Sequence, residues 1–298
     1  MTDWSLTLTA PAKINLYLGV HTGRDARGYH RVDSLMAAVG LADTVTVAPA
    51  PALTVQTVPA SDFPMQKNTA YRAAIAMAEH YSRDASVCVT IEKRIPLCAG
   101  LGGPSTDAAA VIAALAELWG IDRTDPALDD IARGIGADVP FFLHGSPAFY
   151  VGGGDVLATE YPALPATPVV LIKPREASVS TIEAYRRFDE SPVPADKPGA
   201  IASALRAGDA EAAYALIHNN LGVISAQMEP QIQAVLDWLR KQDGTVAVDV
   251  CGSGACSFAI CDAPATAADL AVAAQQNGWW SCATELIAST VRIDVPKK

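Results

Sequence analysis

Basic residues are scarce in this chain: 22 Lys and Arg stand against 32 Asp and Glu, a formal net charge of −10 at pH 7. That speaks against a nucleic-acid partner, because phosphate backbones are bound chiefly through clustered Lys and Arg. Any phosphate must be met locally. Long apolar runs are missing too. Half of the residues are hydrophobic, yet no stretch reaches the roughly 18 consecutive apolar residues of a membrane span. The start, Met1-Thr2-Asp3-Trp4, lacks a basic n-region, so we expect a cytoplasmic protein with no membrane partner. Cys88, Cys98, Cys251, Cys256, Cys261 and Cys282 form no CxxC pair and have no nearby His at zinc-ligand spacing. They are expected as reduced core thiols. Repeats and low-complexity tracts are also lacking.

At 298 residues the chain exceeds the usual single-domain length of roughly 100–200 residues, so two domains sharing a cleft are expected. Alternation predicts strands at Leu6–Thr9, Ile14–Val20 and Thr44–Val47, each with one buried face. A helix over Thr69–Tyr81 and a strand over Val87–Ile91 precede a Gly-rich loop, then a helix over Thr106–Trp119 that stops at Gly120. Strands follow near 148–151 and 156–159. Pro162, Pro165 and Pro168 interrupt regular structure, which places the domain boundary there: 1–165 and 166–298. The second half reads as a strand over 169–172, helices over 200–206, 210–218, 231–241 and 265–276, and strands over 246–250, 257–260 and 291–295. Strands and helices mix without strict βαβ repetition, so the fold class is α+β.

Chemistry concentrates in three segments. The first is Ala99-Gly100-Leu101-Gly102-Gly103-Pro104-Ser105-Thr106, where glycines let backbone approach a ligand and Ser105 or Thr106 can cap the helix that follows. Free N–H groups and the dipole at such a helix start suit an anion. An ordinary turn before a buried helix fits the same residues. The loop lacks the Lys and spacing of a Walker motif. Second, Lys13 and Asn15 share one strand face opposite Ile14 and Leu16, which is either a cleft or a solvent-facing edge. Third, Asp138 stands among small and apolar residues in Gly136-Ala137-Asp138-Val139-Pro140; it needs a partner, for which Lys13 is a candidate, or else it caps the next turn.

Together with Gly252-Ser253-Gly254-Ala255-Cys256, these segments resemble the GHMP kinase superfamily along nearly the whole chain. Pro-Ala-Lys-Ile-Asn-Leu at 11–16, Gly28-Tyr29-His30 with Ser34-Leu35-Met36, and Gly136–Phe141 look like the 4-diphosphocytidyl-2-C-methyl-D-erythritol kinase family within it. The resemblance implies a two-domain GHMP fold, with an N-terminal ribosomal-protein-S5-like nucleotide-binding domain and a C-terminal ferredoxin-like α/β sandwich. It implies a kinase that uses ATP and Mg2+ on the 2-hydroxyl of a cytidine-diphosphate sugar alcohol, in the non-mevalonate route to isoprenoid precursors, and that works as a monomer or weak homodimer. By the same resemblance Lys13 and Asp138 are catalytic. Asn15, Tyr29, His30, Thr181 and Tyr185 bind the substrate, with Tyr29 stacking on the base and His30 reading its edge. Asn68, Thr69, Lys93 and the loop Ala99, Gly100, Leu101, Gly102, Gly103, Pro104, Ser105 and Thr106 bind ATP. The metal ligands are not assigned. Pro104 departs from the family, which carries a further Gly there; proline removes one N–H donor. A homoserine or mevalonate kinase, and a non-catalytic nucleotide-binding module on the same fold, are the rival readings. Tyr29-His30 disfavours the first, and the presence of both Lys13 and Asp138 the second.

Overall fold

A computed structural model describes residues 4–60 and 62–294. In chain order these form β1 (Leu6–Arg24), β2 (His30–Pro49), β3 (Thr54–Val58), α1 (Thr69–Tyr81), β4 (Val87–Glu92), α2 (Gly103–Trp119), α3 (Pro126–Ile135), β5 (Ala148–Val151) and β6 (Val156–Glu160). The second half adds β7 (Pro168–Pro174), α4 (Thr181–Glu190), α5 (Gly199–Arg206), α6 (Ala210–Tyr214), β8 (His218–Asn219), α7 (Asn220–Met228), α8 (Pro230–Leu239), β9 (Thr245–Val250), β10 (Ser257–Cys261), α9 (Pro264–Gln276), β11 (Trp279–Ile287) and β12 (Arg292–Asp294).

Strands run in the order β12-β1-β2-β11-β7-β10-β9, with β4 and β5 also pairing to β2, so one sheet path passes through both halves. The link is short: Leu286 and Ile287 of β11 pair with Val39 and Ala38 of β2. The mixed α+β class is as expected.

Three features depart from the sequence reading. β1 buries both faces from Ala10 to Val20: Ala12, Ile14 and Leu16 pack into a core shared with the second half, while the Gly-rich loop and the turn at Gly252 lie against Lys13. Lys13 and Asn15 are thus 3% and 2% exposed, and a solvent-facing edge is ruled out. α2 starts at Gly103 with Gly102 as its N-cap, and no side chain caps it; Ser105 and Thr106 lie inside its first turn. Helix α6 ends at Tyr214 instead of His218, since His218 and Asn219 pair with Tyr17 and Leu18 of β1.

Elements missing from the sequence reading are β3, α3, α4, β8, α7 and β11. β11 lacks alternation because its faces serve different cores, Trp279 with one and Trp280 with the other. Val295 of the expected last strand lies outside the described residues. Among the cysteines Cys98 is exposed and Cys88 and Cys282 are half-buried, so only Cys251, Cys256 and Cys261 are core thiols.

α2 is buried along the whole stretch Thr106–Ala116, as a helix apolar on all sides must be. It anchors the Gly-rich loop at its N-terminus. Pro104 stands in the first turn, where a missing N–H breaks no intrahelical bond.

Candidate active site

Lys13 is held by its strand. Its backbone N–H donates to the Leu101 carbonyl at 3.0 Å, and its ammonium donates to Asn15 Oδ1 at 2.8 Å. Asn15 Nδ2 in turn donates to Ser34 Oγ at 2.9 Å. Lys13 Nζ lies 3.4 Å from Asp138 Oδ2. Asp138 follows α3 in a turn and the short helical turn after it is capped at Val139 without a side-chain bond, so the capping alternative for Asp138 is not what is seen. A buried ammonium facing a carboxylate that is 35% exposed leaves one open side, where a ligand hydroxyl can reach the carboxylate.

The Gly-rich loop rests on the turn at 251–256. Ala255 and Cys256 N–H groups donate to the carbonyls of Cys98 and Ala99 at 3.1 and 3.2 Å. A Cβ on Gly100 would stand 1.9 Å from the Cys251 carbonyl oxygen, and one on Gly102 would stand 2.8 Å from Phe142 and 3.1 Å from Lys13 Cγ. On Gly103 it would point at Ile95 and Lys93. Gly100 and Gly102 are therefore required by what lies beneath the loop, independently of any ligand that approaches it. Gly100 and Gly102 also have φ of +73° and +75°, which only glycine adopts cheaply.

Lys93 donates to Asp107 Oδ2 at 2.6 Å and to Asp43, whose other oxygen accepts from the Ile95 N–H at 2.9 Å. Burial works against the Lys93 charge, but Asp107 and Asp43 outweigh it and raise its pKa. One ammonium serves two buried carboxylates, and burial pushes the Asp107 carboxyl upward despite Lys93. This network floors a cavity of about 420 Å³ lined by Phe63, Asn68, Thr69, Leu97, Pro104 and Trp280 among others. Asn68 caps α1 by accepting from the Ala70 N–H at 2.9 Å. Thr69 Oγ1 donates to the Pro104 carbonyl at 2.5 Å, which ties α1 to the start of α2.

On the other side of Lys13, Tyr29 and His30 part company. The turn closes with the Asp25 N–H on the Tyr29 carbonyl at 2.8 Å, so His30 already opens β2. Successive strand residues point to opposite faces: Tyr29 is 62% exposed and His30 only 5%. A shared loop for the two is thus corrected. His30 Nδ1 donates to the His21 carbonyl at 2.8 Å, its ring stacks on Tyr185 at 5.1 Å, and Phe188 meets it edge-on at 5.9 Å. His30 Nε2 lies 3.3 Å from Asp189 Oδ1 without hydrogen-bond geometry. Burial and the Asp138 carboxylate push the Tyr185 phenol up to about 12. Thr181 Oγ1 and Ser253 Oγ are 2.8 Å apart, joining the start of α4 to the turn under the loop.

Sequence reasoning missed Asp43, Trp280 and Asn219. The last donates to the carbonyls of Val250 and Gly252 at 2.9 and 2.8 Å, and fixes the turn facing Lys13. Asp107 lay within the quoted loop segment, but nothing in its spacing pointed to Lys93.

Comparison with known proteins matches residues 68–146 to the GHMP kinases N terminal domain and residues 201–278 to the GHMP kinases C terminal domain. The chain is similar to a 4-diphosphocytidyl-2-C-methyl-D-erythritol kinase of Mycolicibacterium smegmatis, 36% identical over 97% of this chain and 91% of the relative. One from Mycobacterium tuberculosis is 34% identical over 96% of this chain and 90% of the relative. A solved 4-(cytidine 5'-diphospho)-2C-methyl-D-erythritol kinase superposes with a TM-score of 0.77 at 34% identity, covering 94% of this chain and 98% of that one. A homoserine kinase from Cytophaga hutchinsonii superposes at 0.74 with 18% identity over 99% of this chain and 98% of that one, which speaks to fold alone.

Proposed function

The chain belongs to the 4-diphosphocytidyl-2-C-methyl-D-erythritol kinases of the GHMP superfamily, and we propose that Lys13 and Asp138 carry its phosphoryl transfer. It is an ATP-dependent kinase that phosphorylates the 2-hydroxyl of 4-diphosphocytidyl-2-C-methyl-D-erythritol, in the non-mevalonate route to isoprenoid precursors. The observation that carries the site assignment is the 3.4 Å pairing of Lys13 with a half-exposed Asp138 beside the loop that opens α2.

In this reading Asp138 accepts the proton of the substrate hydroxyl as its oxygen bonds to the γ-phosphorus and the bond to the ADP oxygen breaks. Lys13 balances the carboxylate and attracts the transferring group. Such a reaction asks mainly for alignment and for stabilisation of spread negative charge. The loop 99–106 and the start of α2 receive the phosphates, with Pro104 costing one donor. The 420 Å³ cavity takes the adenine, bordered by Asn68, Thr69 and Lys93. Tyr29, His30, Asn15, Thr181 and Tyr185 bind the cytidine substrate.

Magnesium would enter with the nucleotide. Among the described residues no three His, Cys, Asp or Glu side chains come together to hold a metal, but Thr106 Oγ1 is buried without a partner beside the phosphate loop. Ser105 and Thr106 would hold the ion together with the phosphates, as loop hydroxyls do in some phosphoryl-transfer enzymes. When bound it neutralises phosphate charge.

The same reading keeps the boundary at 165/166, with the phosphate loop in the first domain and Thr181 and Tyr185 in the second. Among the described residues no helix is long and apolar enough to cross a membrane; we place the enzyme in the cytoplasm, acting on small molecules as a monomer or weak homodimer.

An assay with ATP and a panel of alcohols tests the proposal: the cytidine compound should be turned over, whereas homoserine and mevalonate should not. Turnover of neither class in folded protein would overturn the catalytic assignment.

A further inference from the structure

Tyr29 is the exposed aromatic of the substrate side, and what lies behind it is unusual for a hairpin tip. Arg27 Cζ sits 5.1 Å from the Tyr29 ring centroid. The guanidinium is not loose. Nη1 and Nη2 donate to the two oxygens of Asp155 at 2.7 and 3.2 Å, and Nε donates to Asp25 Oδ2 at 2.8 Å. Asp25 Oδ1 also accepts the N–H groups of Arg27 at 2.9 Å and Tyr29 at 3.0 Å.

Asp155 is 3% exposed, and its Oδ1 accepts the Gly153 N–H at 3.0 Å. A Cβ on Gly153 would come within 3.2 Å of Arg27 Nη2 and 3.6 Å of Tyr29 Cβ, so that position leaves room for the seat. The tip of the β1–β2 hairpin is therefore bolted to the β5–β6 turn through one planar cation in a forked grip on a buried carboxylate.

We propose that Arg27 is a positioning residue for substrate recognition: clamped by Asp25 and Asp155, it backs one face of Tyr29 and presents the other face to the cytosine base. This rests on the reading that Tyr29 stacks on that base. A tyrosine on a flexible turn must surrender rotamer freedom on binding, and a cation held against its ring removes that cost in advance. Freezing one such side chain corresponds to about a three- to tenfold gain in affinity. Arg27 touches no reacting atom, so it acts on binding and leaves the chemical step alone. A turn staple with no bearing on Tyr29 would also use these ion pairs, and the two differ in whether the effect of Arg27 passes through the tyrosine ring.

The test is a double-mutant cycle by calorimetry on the full chain, with 4-diphosphocytidyl-2-C-methyl-D-erythritol and ATP titrated separately into wild type, Arg27→Met, Tyr29→Ala and the double variant. Arg27→Met should weaken the cytidine substrate about three- to tenfold, with ATP affinity and kcat retained, and should add less than about twofold in the Tyr29→Ala background. Asp155→Asn, which loosens the grip while keeping Arg27, should act in the same direction and be silenced by Tyr29→Ala as well. If Tyr29→Ala weakens the substrate while Arg27→Met leaves it unchanged, or if the Arg27 effect persists in full without the tyrosine, the inference is overturned and the stacking reading stands. An unchanged affinity in Tyr29→Ala overturns the stacking reading and this inference with it.

Discussion

Lys13 and Asp138 meet at 3.4 Å although they come from the middle of β1 and from the turn after α3, and they meet asymmetrically: the lysine side chain is 3% exposed and the aspartate 35%. The buried member is fixed by Asn15 and the other is open on one side, an arrangement suited to a proton acceptor beside a stationary charge.

Asp138→Asn should bind both substrates with near-normal affinity and transfer phosphate at least about a hundredfold more slowly, the lower end of acid/base contributions. Single-turnover measurement at saturating ATP separates chemistry from binding, and near-normal turnover would remove Asp138 from the mechanism.

Gly100→Ala should damage the protein more than the ligand site alone would suggest. The added methyl would meet the Cys251 carbonyl at 1.9 Å, and the residue has φ of +73°. The left-handed conformation by itself costs roughly 1–2 kcal/mol, and the clash adds to it. Urea unfolding should show a loss of at least about 2 kcal/mol together with weakened ATP binding. Wild-type stability in the variant would mean that the loop does not rest on the 251–256 turn.

Trp280 borders the 420 Å³ cavity from the second half of the chain. If adenine occupies that cavity, Trp280→Ala should weaken ATP by about tenfold, the lower end of a base-stacking contribution, and leave the cytidine substrate alone. Calorimetry checks the affinities, and Trp280→Phe should recover most of the loss. Equal weakening of both ligands would point to general disruption of β11.

His144 provides a pH test away from the cleft. Its Nε2 lies 2.9 Å from Asp129 Oδ1, and the hydrogen bond to Asp129 raises the imidazole pKa above its ordinary value of 6.5 against the effect of burial. A folded-state pKa above the unfolded one means that this stabilisation is complete below about pH 6.5 and is lost as pH rises through the folded value. His144→Gln should therefore lower stability at pH 5.5 and matter less at pH 9. Denaturant midpoints at both pH values decide it; a pH-independent difference would assign His144 a packing role only.

Much of this protein is legible in its residues. Alternation along β1, the helix over Thr69–Tyr81, the Ala-rich α2 ending at Gly120 and the family resemblance of the 11–16, 28–30, 99–106 and 136–141 segments all rest on neighbours in the chain. Local propensity and short motifs are properties of sequence windows, so they survive without coordinates. Tertiary structure alone decided that both faces of β1 are buried, that His30 turns inward beneath Tyr185 while Tyr29 stays outside, and that Lys93 is shared by Asp43 and Asp107. It also brought Trp280 to the cavity and Asp155 to Arg27. Those contacts join residues separated by 128 positions in the case of Arg27 and Asp155, and no pattern within one strand or helix encodes which distant carboxylate its cation will meet. The glycines of the phosphate loop show the division at one place: their spacing is visible in sequence, but the surface they must fit, the turn at 251–256, exists only once the two halves have packed.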